Sequence, residues 1–372
     1  MGRRTHSRAF MPTLTPLAVA LAAAWPILAV AQPAPGALPK GGLVRSGQVA
    51  IGDVLRDAQT NKLVLPITQT SQRSIIHWQS FDIGRDAIVS FQMPSATSAS
   101  LNRVTGGSTS QIFGALQSNG QVFLLNPNGV IFGAGAQVDV GALVASTLNL
   151  SDPDFLAGLN NSVLGGQSAF FKGGWEPGTL LGGGSDLVRV ETDASITTAS
   201  GGRVFLFARD VRNEGSIRAP DGQVVLGGGD SVMLKLPTSE PLYATEVNPD
   251  VPSLRGLLVE VGQGGSVVNA PGGVIETLRG NTTLVGMAVN QSGRVSATTS
   301  VNANGSILLL AQGGLASGQP RGSDLYKRAV GSGSLVLGSG SVTEIRPDVP
   351  AAAGAAPATS NDNATFVPSR ID

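Results

Sequence analysis

The feature that most constrains this chain is a phrase that recurs along it: a glycine, one polar residue, then three or four apolar residues. It reads Gly120-Gln-Val-Phe-Leu-Leu, Gly202-Arg-Val-Phe-Leu-Phe, Gly222-Gln-Val-Val-Leu, Gly305-Ser-Ile-Leu-Leu-Leu and Gly333-Ser-Leu-Val-Leu. Gly202 and Gly222 stand 20 positions apart, which suits one coil of a parallel β-helix. Gly215-Ser-Ile lies between them, and Gly265-Ser-Val-Val and Gly293-Arg-Val fill equivalent places further on. Each coil is therefore expected to use several short strands joined by Gly, Asn and Asp turns. A repeat of this size buries its apolar face only by stacking on its neighbours. At about 20 residues per coil the repeat predicts a stack of about 12 coils, ~60 Å long at about 4.8 Å per strand.

The competing all-β architecture is a sandwich or barrel of antiparallel hairpins, which requires strict apolar/polar alternation and tight two-residue turns. Here several strands are apolar at consecutive positions (Val122-Phe-Leu-Leu, Val204-Phe-Leu-Phe, Ile307-Leu-Leu-Leu) and the spacers are irregular. The expected fold class is all-β, a single-stranded parallel β-helix. Glycine supports the turn-rich reading, with 50 of 372 residues spread along the chain.

Charge excludes some functions. Charged residues make up 13% of the chain, with 25 Lys+Arg against 25 Asp+Glu, so there is no basic footprint for nucleic acid and no polybasic patch for anionic lipid. Cys is absent, which rules out disulfides, thiol chemistry and cysteine-ligated zinc.

The chain divides into five stretches. Residues 1–31 read as a secretory signal peptide handled by the Sec machinery. Arg3, Arg4 and Arg8 form the positive region, Leu14 to Val30 the apolar region, and Ala29-Val30-Ala31 the small-residue cleavage site. The apolar region is broken by Pro16 and Pro26, which argues against a membrane anchor. Residues 32–42 form a flexible Pro/Gly-rich lead-in, 43–236 and 237–346 the β-helix, and 347–372 a flexible Ala/Pro-rich tail. Residues 43–68 alternate more strongly and are the natural N-terminal cap, while no clear cap closes the C-terminal end. Residues 151–180 carry Phe155, Phe170, Phe171 and Trp175 among turn residues, and are expected to lie outside the coils and pack down onto them.

The sharpest local signal is Asn126-Pro127-Asn128-Gly129, set between the apolar runs Val122–Leu125 and Val130–Phe132. Proline pre-sets φ at the second position of a turn, asparagine suits the third and glycine the fourth, so these residues on their own specify a tight turn. Their surroundings say more. The runs Leu101-Asn-Arg-Val and Ser110-Gln-Ile-Phe-Gly-Ala-Leu-Gln-Ser-Asn-Gly-Gln-Val-Phe-Leu-Leu-Asn-Pro-Asn-Gly-Val-Ile-Phe-Gly are preceded by Trp78-Gln-Ser-Phe-Asp-Ile-Gly. They are followed by Ser151-Asp-Pro-Asp-Phe-Leu-Ala-Gly and by Asn213-Glu-Gly-Ser-Ile-Arg-Ala-Pro-Asp-Gly-Gln-Val-Val-Leu. This ordered set closely resembles the N-terminal secretion domain of filamentous-haemagglutinin-like exoproteins of two-partner secretion systems.

The resemblance implies a right-handed β-helix with an N-terminal cap and extra-helical β elements. It implies a periplasmic encounter with the POTRA domains of a dedicated outer-membrane β-barrel transporter, passage through that barrel, and a final location outside the cell or on its surface. It further implies an adhesin- or haemagglutinin-like role toward a host-cell or bacterial surface ligand. By match, Asn126, Pro127, Asn128 and Gly129 take the place of the family's NPNG motif in secretion and transporter recognition. The family's second motif, NPNL, has no counterpart; the nearest segment is Gln92-Met-Pro-Ser.

Enzymatic readings find little to work with. The carboxylates are scattered, unlike the clustered Asp, Lys and Arg of β-helix polysaccharide-cleaving enzymes. His6 and His77 are the only histidines, and His77 beside Trp78 reads as structural. Asp152 and Asp154 flank Pro153 as a turn signal and not a calcium loop. No catalytic residue, metal site or cofactor is therefore expected. Two alternatives stand beside the exported exoprotein: a carbohydrate-active β-helix enzyme, and the export portion of a larger contact-dependent toxin.

Overall fold

The computed structural model describes residues 32–159, 169–173, 186–235, 257–299, 305–313, 331–347 and 370–371. Its core is a parallel β-helix whose coils each pass through three sheets. One coil runs from Gln121–Leu125 in the first sheet through Val130–Phe132 in the second and Gln137–Val140 in the third. It returns to the first sheet at Ala142, which is in register with Gln121.

Register is kept from coil to coil. Val122 pairs with Leu143, Leu143 with Val204, Val204 with Val224, Val224 with Thr282 and Thr282 with Ile307. These side chains form a continuous inner column, all fully buried. The spacing read from the sequence holds here, since Arg203 pairs with Gln223 directly after Gly202 and Gly222.

The consecutive apolar residues of the first sheet have a structural cause: both of its faces are covered. Val122, Leu124, Val204 and Leu206 point into the coil interior, while Phe123, Leu125, Phe205 and Phe207 belong to a second core outside it. That outer core is roofed by a four-stranded antiparallel sheet of Asn149–Leu150, Ala169–Lys172, Ser231–Lys235 and Leu258–Val261. The other two sheets have water on one side, and their strands alternate accordingly, as in Val274–Thr277 and Ser266–Asn269.

The outer sheet corrects the coil count. Eight parallel strands of the first sheet, from Arg73–Trp78 to Ser306–Gly313, mark eight coils among the described residues, not about 12. Asn149–Leu150 and Ala169–Lys172, between Ser146 and Leu187, and Ser231–Lys235 and Leu258–Val261, between Gly228 and Ser266, leave the coil to build the roof. One repeat phrase also sits elsewhere than its pattern suggests. Gly120, Gly202, Gly222 and Gly305 precede strands of the first sheet, but Gly333 precedes Ser334–Leu337 in the second.

Antiparallel strands close the N-terminal end. Leu43–Ser46 pairs with Arg73–Trp78, and Val49–Ile51 and Leu55–Arg56 pair with Leu63–Gln69. The cap is shorter than residues 43–68, because Leu63–Gln69 is already parallel to Ala87–Gln92. The lead-in is tied to the first coils: Asp86 donates its N–H to the Pro35 carbonyl at 2.8 Å and Gly84 to Ala37 at 2.9 Å. At the other end Ser334–Leu337 is an exposed edge, and Arg370–Ile371 pairs with Ser306–Gly313. Among the described residues no helix is long and apolar enough to cross a membrane.

The stretch after Ser151 begins with a short helix, Asp152–Ala157, and not a turn. Ser151 caps it by accepting the Asp154 N–H at 3.2 Å, and Pro153 occupies its first turn, where a missing N–H costs nothing. Phe155 and Phe171 pack onto the coils as expected, with edge contacts to Phe123 at 5.1 Å and Phe207 at 5.0 Å between ring centroids. Trp175 and the Phe170 side chain lie outside the described residues, as do residues 1–31 with the expected cleavage site at Ala29 and Ala31.

Candidate functional site

Asn126-Pro127-Asn128-Gly129 forms the corner between a first-sheet and a second-sheet strand. The turn is closed by the Gly129 N–H donating to the Asn126 carbonyl at 3.1 Å. Gly129 has φ +105, a left-handed conformation that side chains rarely adopt, so glycine is required there. Asn126 and Asn128 are fully buried, Gly129 is buried and Pro127 is half-buried.

Both asparagine amides are spent inside the molecule. Asn126 Oδ1 accepts the Asn128 N–H at 2.9 Å, folding the turn onto itself. Asn126 Nδ2 donates to the Ser108 carbonyl and to Ser110 Oγ, each at 2.9 Å, and Asn128 Nδ2 donates to the Gly106 carbonyl at 2.8 Å. In return Thr109 Oγ1 donates to the Asn128 carbonyl at 2.6 Å. The motif thus holds the 106–110 loop of the preceding coil. The far side of that loop lines an open polar cleft with Lys40, Gln79 and Ser80.

The preceding coil has a matching device that the sequence did not announce. Asn119 Oδ1 accepts the Met93 N–H and Asn119 Nδ2 donates to the Met93 carbonyl, both at 2.8 Å. The segment Gln92-Met-Pro-Ser, which departs from the family's second motif, is held by this clasp.

A third element joins cap, coil and roof. The Arg103 side chain is fully buried, and its guanidinium is met by polar partners. It donates to Asn149 Oδ1 at 3.2 Å, the Leu150 carbonyl at 2.9 Å and Asp152 Oδ1 at 2.7 Å, and faces His77 Nε2 at 3.0 Å. His77 in turn meets Arg45 Nε of the cap strand at 3.3 Å. Burial, then Arg103 and Arg45, hold the imidazole pKa below its ordinary value, with Asp152 opposing. Next to it, Trp78 Nε1 donates to Asn102 Oδ1 at 2.9 Å. The strand Ala99–Val104 is buried along its whole length, and such a strand tolerates an arginine only when its charge is satisfied.

No group of three or more His, Cys, Asp or Glu is placed to hold a metal among the described residues. What is built here is a set of knots that fix one coil to the next.

Comparisons with known proteins bear on the family and the fold. The family described as the TPS secretion domain matches residues 37–254. Two heme/hemopexin-binding proteins of Haemophilus influenzae are each 43% identical, over 113 and 104 residues. Those stretches are 30% and 28% of this chain, but 12% and 11% of the relatives, so the chain matches a small part of much longer proteins. The crystal structure of the HMW1 secretion domain from Haemophilus influenzae superposes with a TM-score of 0.55 at 24% identity, covering 74% of this chain and 63% of that one. It shares the fold. The chain belongs to the family of TPS secretion domains, the export domain of two-partner secretion exoproteins.

Proposed function

We propose that this protein is exported across the outer membrane by a cognate β-barrel transporter, whose periplasmic POTRA domains engage residues of the first coils, and that it ends outside the cell or on its surface. The reading rests on the TPS secretion domain match over residues 37–254. The residues expected to be read, Asn126 to Gly129, have their polar groups turned inward once folded. The transporter therefore meets this segment before the coil closes, and the folded turn forms afterwards on the far side. The names of the curated relatives concern heme and hemopexin; the shared stretch is about a tenth of each, and export is the role it supports. A surface-adhesin role and a place at the head of a longer exoprotein are compatible extensions of the same reading.

The test compares culture medium with periplasm in cells carrying the transporter. Asn126→Ala/Asn128→Ala is expected to leave most of the product in the periplasm. Thr109→Val and Ser110→Ala remove folded-state partners of the turn and leave residues 126–129 intact, so these variants are expected to be exported. Equal loss in both sets would mean that the motif acts only through the stability of the fold.

A further inference from the structure

Asparagine followed by glycine is a chemically short-lived pair in a water-exposed chain, and it stands three times here, at Asn119-Gly120, Asn128-Gly129 and Asn304-Gly305. The glycine nitrogen attacks the asparagine Cγ, because glycine has no Cβ to obstruct the approach and its backbone rotates freely. A bond forms between that nitrogen and Cγ, the Cγ–Nδ2 bond breaks, and ammonia leaves with the proton of the glycine N–H. Water then opens the cyclic imide at one of its two carbonyls, giving aspartate or isoaspartate. The reaction therefore needs Cγ to reach the nitrogen, the nitrogen to give up its proton, and water to arrive.

The folded coils deny all of this at Asn128. Its Nδ2 donates to the Gly106 carbonyl at 2.8 Å and to Asn126 Oδ1 at 3.2 Å, so the amide is fixed toward the 106–110 loop. The Gly129 N–H donates to the Asn126 carbonyl at 3.1 Å, a neutral acceptor that does not take the proton away. The Asn128 side chain is fully buried, which excludes water and disfavours the charged nitrogen that the attack requires. Asn119 is exposed, so geometry alone protects it. The Met93 backbone clasps its amide at both ends, and the Gly120 N–H donates to Ser118 Oγ at 3.0 Å. Asn304 lies outside the described residues.

We propose that Asn119 and Asn128 are deamidation sites of the unfolded chain that folding shuts off, and that the product at position 128 no longer fits the fold. An aspartate there has no Nδ2 to donate, and its carboxylate meets the Gly106 carbonyl in a fully buried position. An isoaspartate lengthens the backbone inside the turn. The hydrogen bonds that fix one coil to the next thus also preserve the two residues that make them. Where the chain waits unfolded before export, the modification is a clock on the Asn126–Gly129 motif; that consequence rests on the function proposed above, and the chemistry does not.

The experiment incubates the purified protein in mildly alkaline buffer, once folded and once in guanidinium chloride. Peptides holding residues 119–120 and 128–129 are followed by mass spectrometry and by enzymatic methylation of isoaspartate. Both sites should convert in denaturant. In the folded protein both should convert at least about tenfold more slowly, the factor that a local opening free energy of about 1.4 kcal/mol supplies. In denaturant, where folding plays no part, Gly129→Ala should lose most of the conversion at Asn128 and leave that at Asn119 unchanged. Asn128→Asp, which stands for one product, is expected to lower the Tm. The proposal is overturned if either site converts as fast folded as unfolded, if neither converts in denaturant, if Gly129→Ala converts at Asn128 like the parent, or if Asn128→Asp melts like the parent. No transporter enters these measurements, so their failure is distinct from a failure of the export reading, which the medium-against-periplasm comparison tests.

Discussion

Two residues show how the coil corners are specified. At Gly129 the backbone has φ +105, and any side chain there is strained. Gly129→Ala is expected to destabilise the protein by about 1–3 kcal/mol, read as a lower denaturation midpoint with an unchanged slope on denaturant. His77 carries a pH dependence. A neutral imidazole offers one lone pair, whereas the two guanidiniums around it, Arg45 and Arg103, offer none. Protonation removes that lone pair and adds a third cation, with Asp152 as the facing anion. The folded-state pKa lies below the unfolded one, so the folded form binds fewer protons. The stability this provides is complete above about pH 6.5 and is lost as pH falls through the lower folded value. Tm measured from pH 7.5 down to 5 should decline in the parent. In His77→Gln only the slope contributed by carboxylates should remain, and superimposable profiles would remove His77 from the account.

At the scale of strands and coils, buried amides do the aligning that hydrophobic contacts cannot. Asn213 Nδ2 donates to Asn269 Oδ1 at 2.8 Å, Asn269 Nδ2 donates to Gln291 Oε1 at 2.7 Å, and Gln291 continues to the Val342 carbonyl at 3.0 Å. The three pair in register in the second sheet, so the ladder runs from coil to coil with each amide satisfying the next. Asn269→Ala leaves both neighbours with an unmet buried group and is expected to cost about 2–4 kcal/mol; a loss under 1 kcal/mol in urea unfolding would show that water replaces the amide. The corner glycines and the short strands were legible in the sequence because they depend on local geometry. The part of the roof within residues 151–180 was expected outside the coils; its other two strands were not, since Ser231–Lys235 and Leu258–Val261 carry the same apolar pattern as coil strands. Their partners, and not their composition, put them outside the coil, which is why the coil count read from spacing was too high. The signal for the helix, Ser151-Asp-Pro-Asp, was present and was read as a turn, though a capping serine with proline in the first turn marks a helix start equally well. The Asn126–Gly129 turn was legible as geometry, but the burial of its amides depends on the 106–110 loop of another coil.

Considered as a whole molecule, a stack in which each coil contacts mainly its neighbours is suited to folding in order as it emerges, because each new coil finds a finished surface to bury against. The same property couples export to folding if the chain crosses the outer membrane unfolded, since the periplasm supplies no nucleotide to drive transit. The absence of cysteine fits a chain that must not be locked before it crosses. A lock can be added. Gln137 and Ser195 are in-register partners on adjacent coils of the third sheet, and neither is buried. Neighbouring strands lie about 4.8 Å apart, within the Cα separation a disulfide accepts. In the purified protein the Gln137→Cys/Ser195→Cys bridge is expected to raise stability by about 4 kcal/mol, because it closes a loop of roughly 60 residues. In cells, oxidation in the periplasm should trap the double variant there, while either single variant and the double variant under reducing conditions should reach the medium. If the oxidised double variant instead appears in the medium as readily as the parent, coil formation precedes transit, and folding outside the cell is not what draws the chain through.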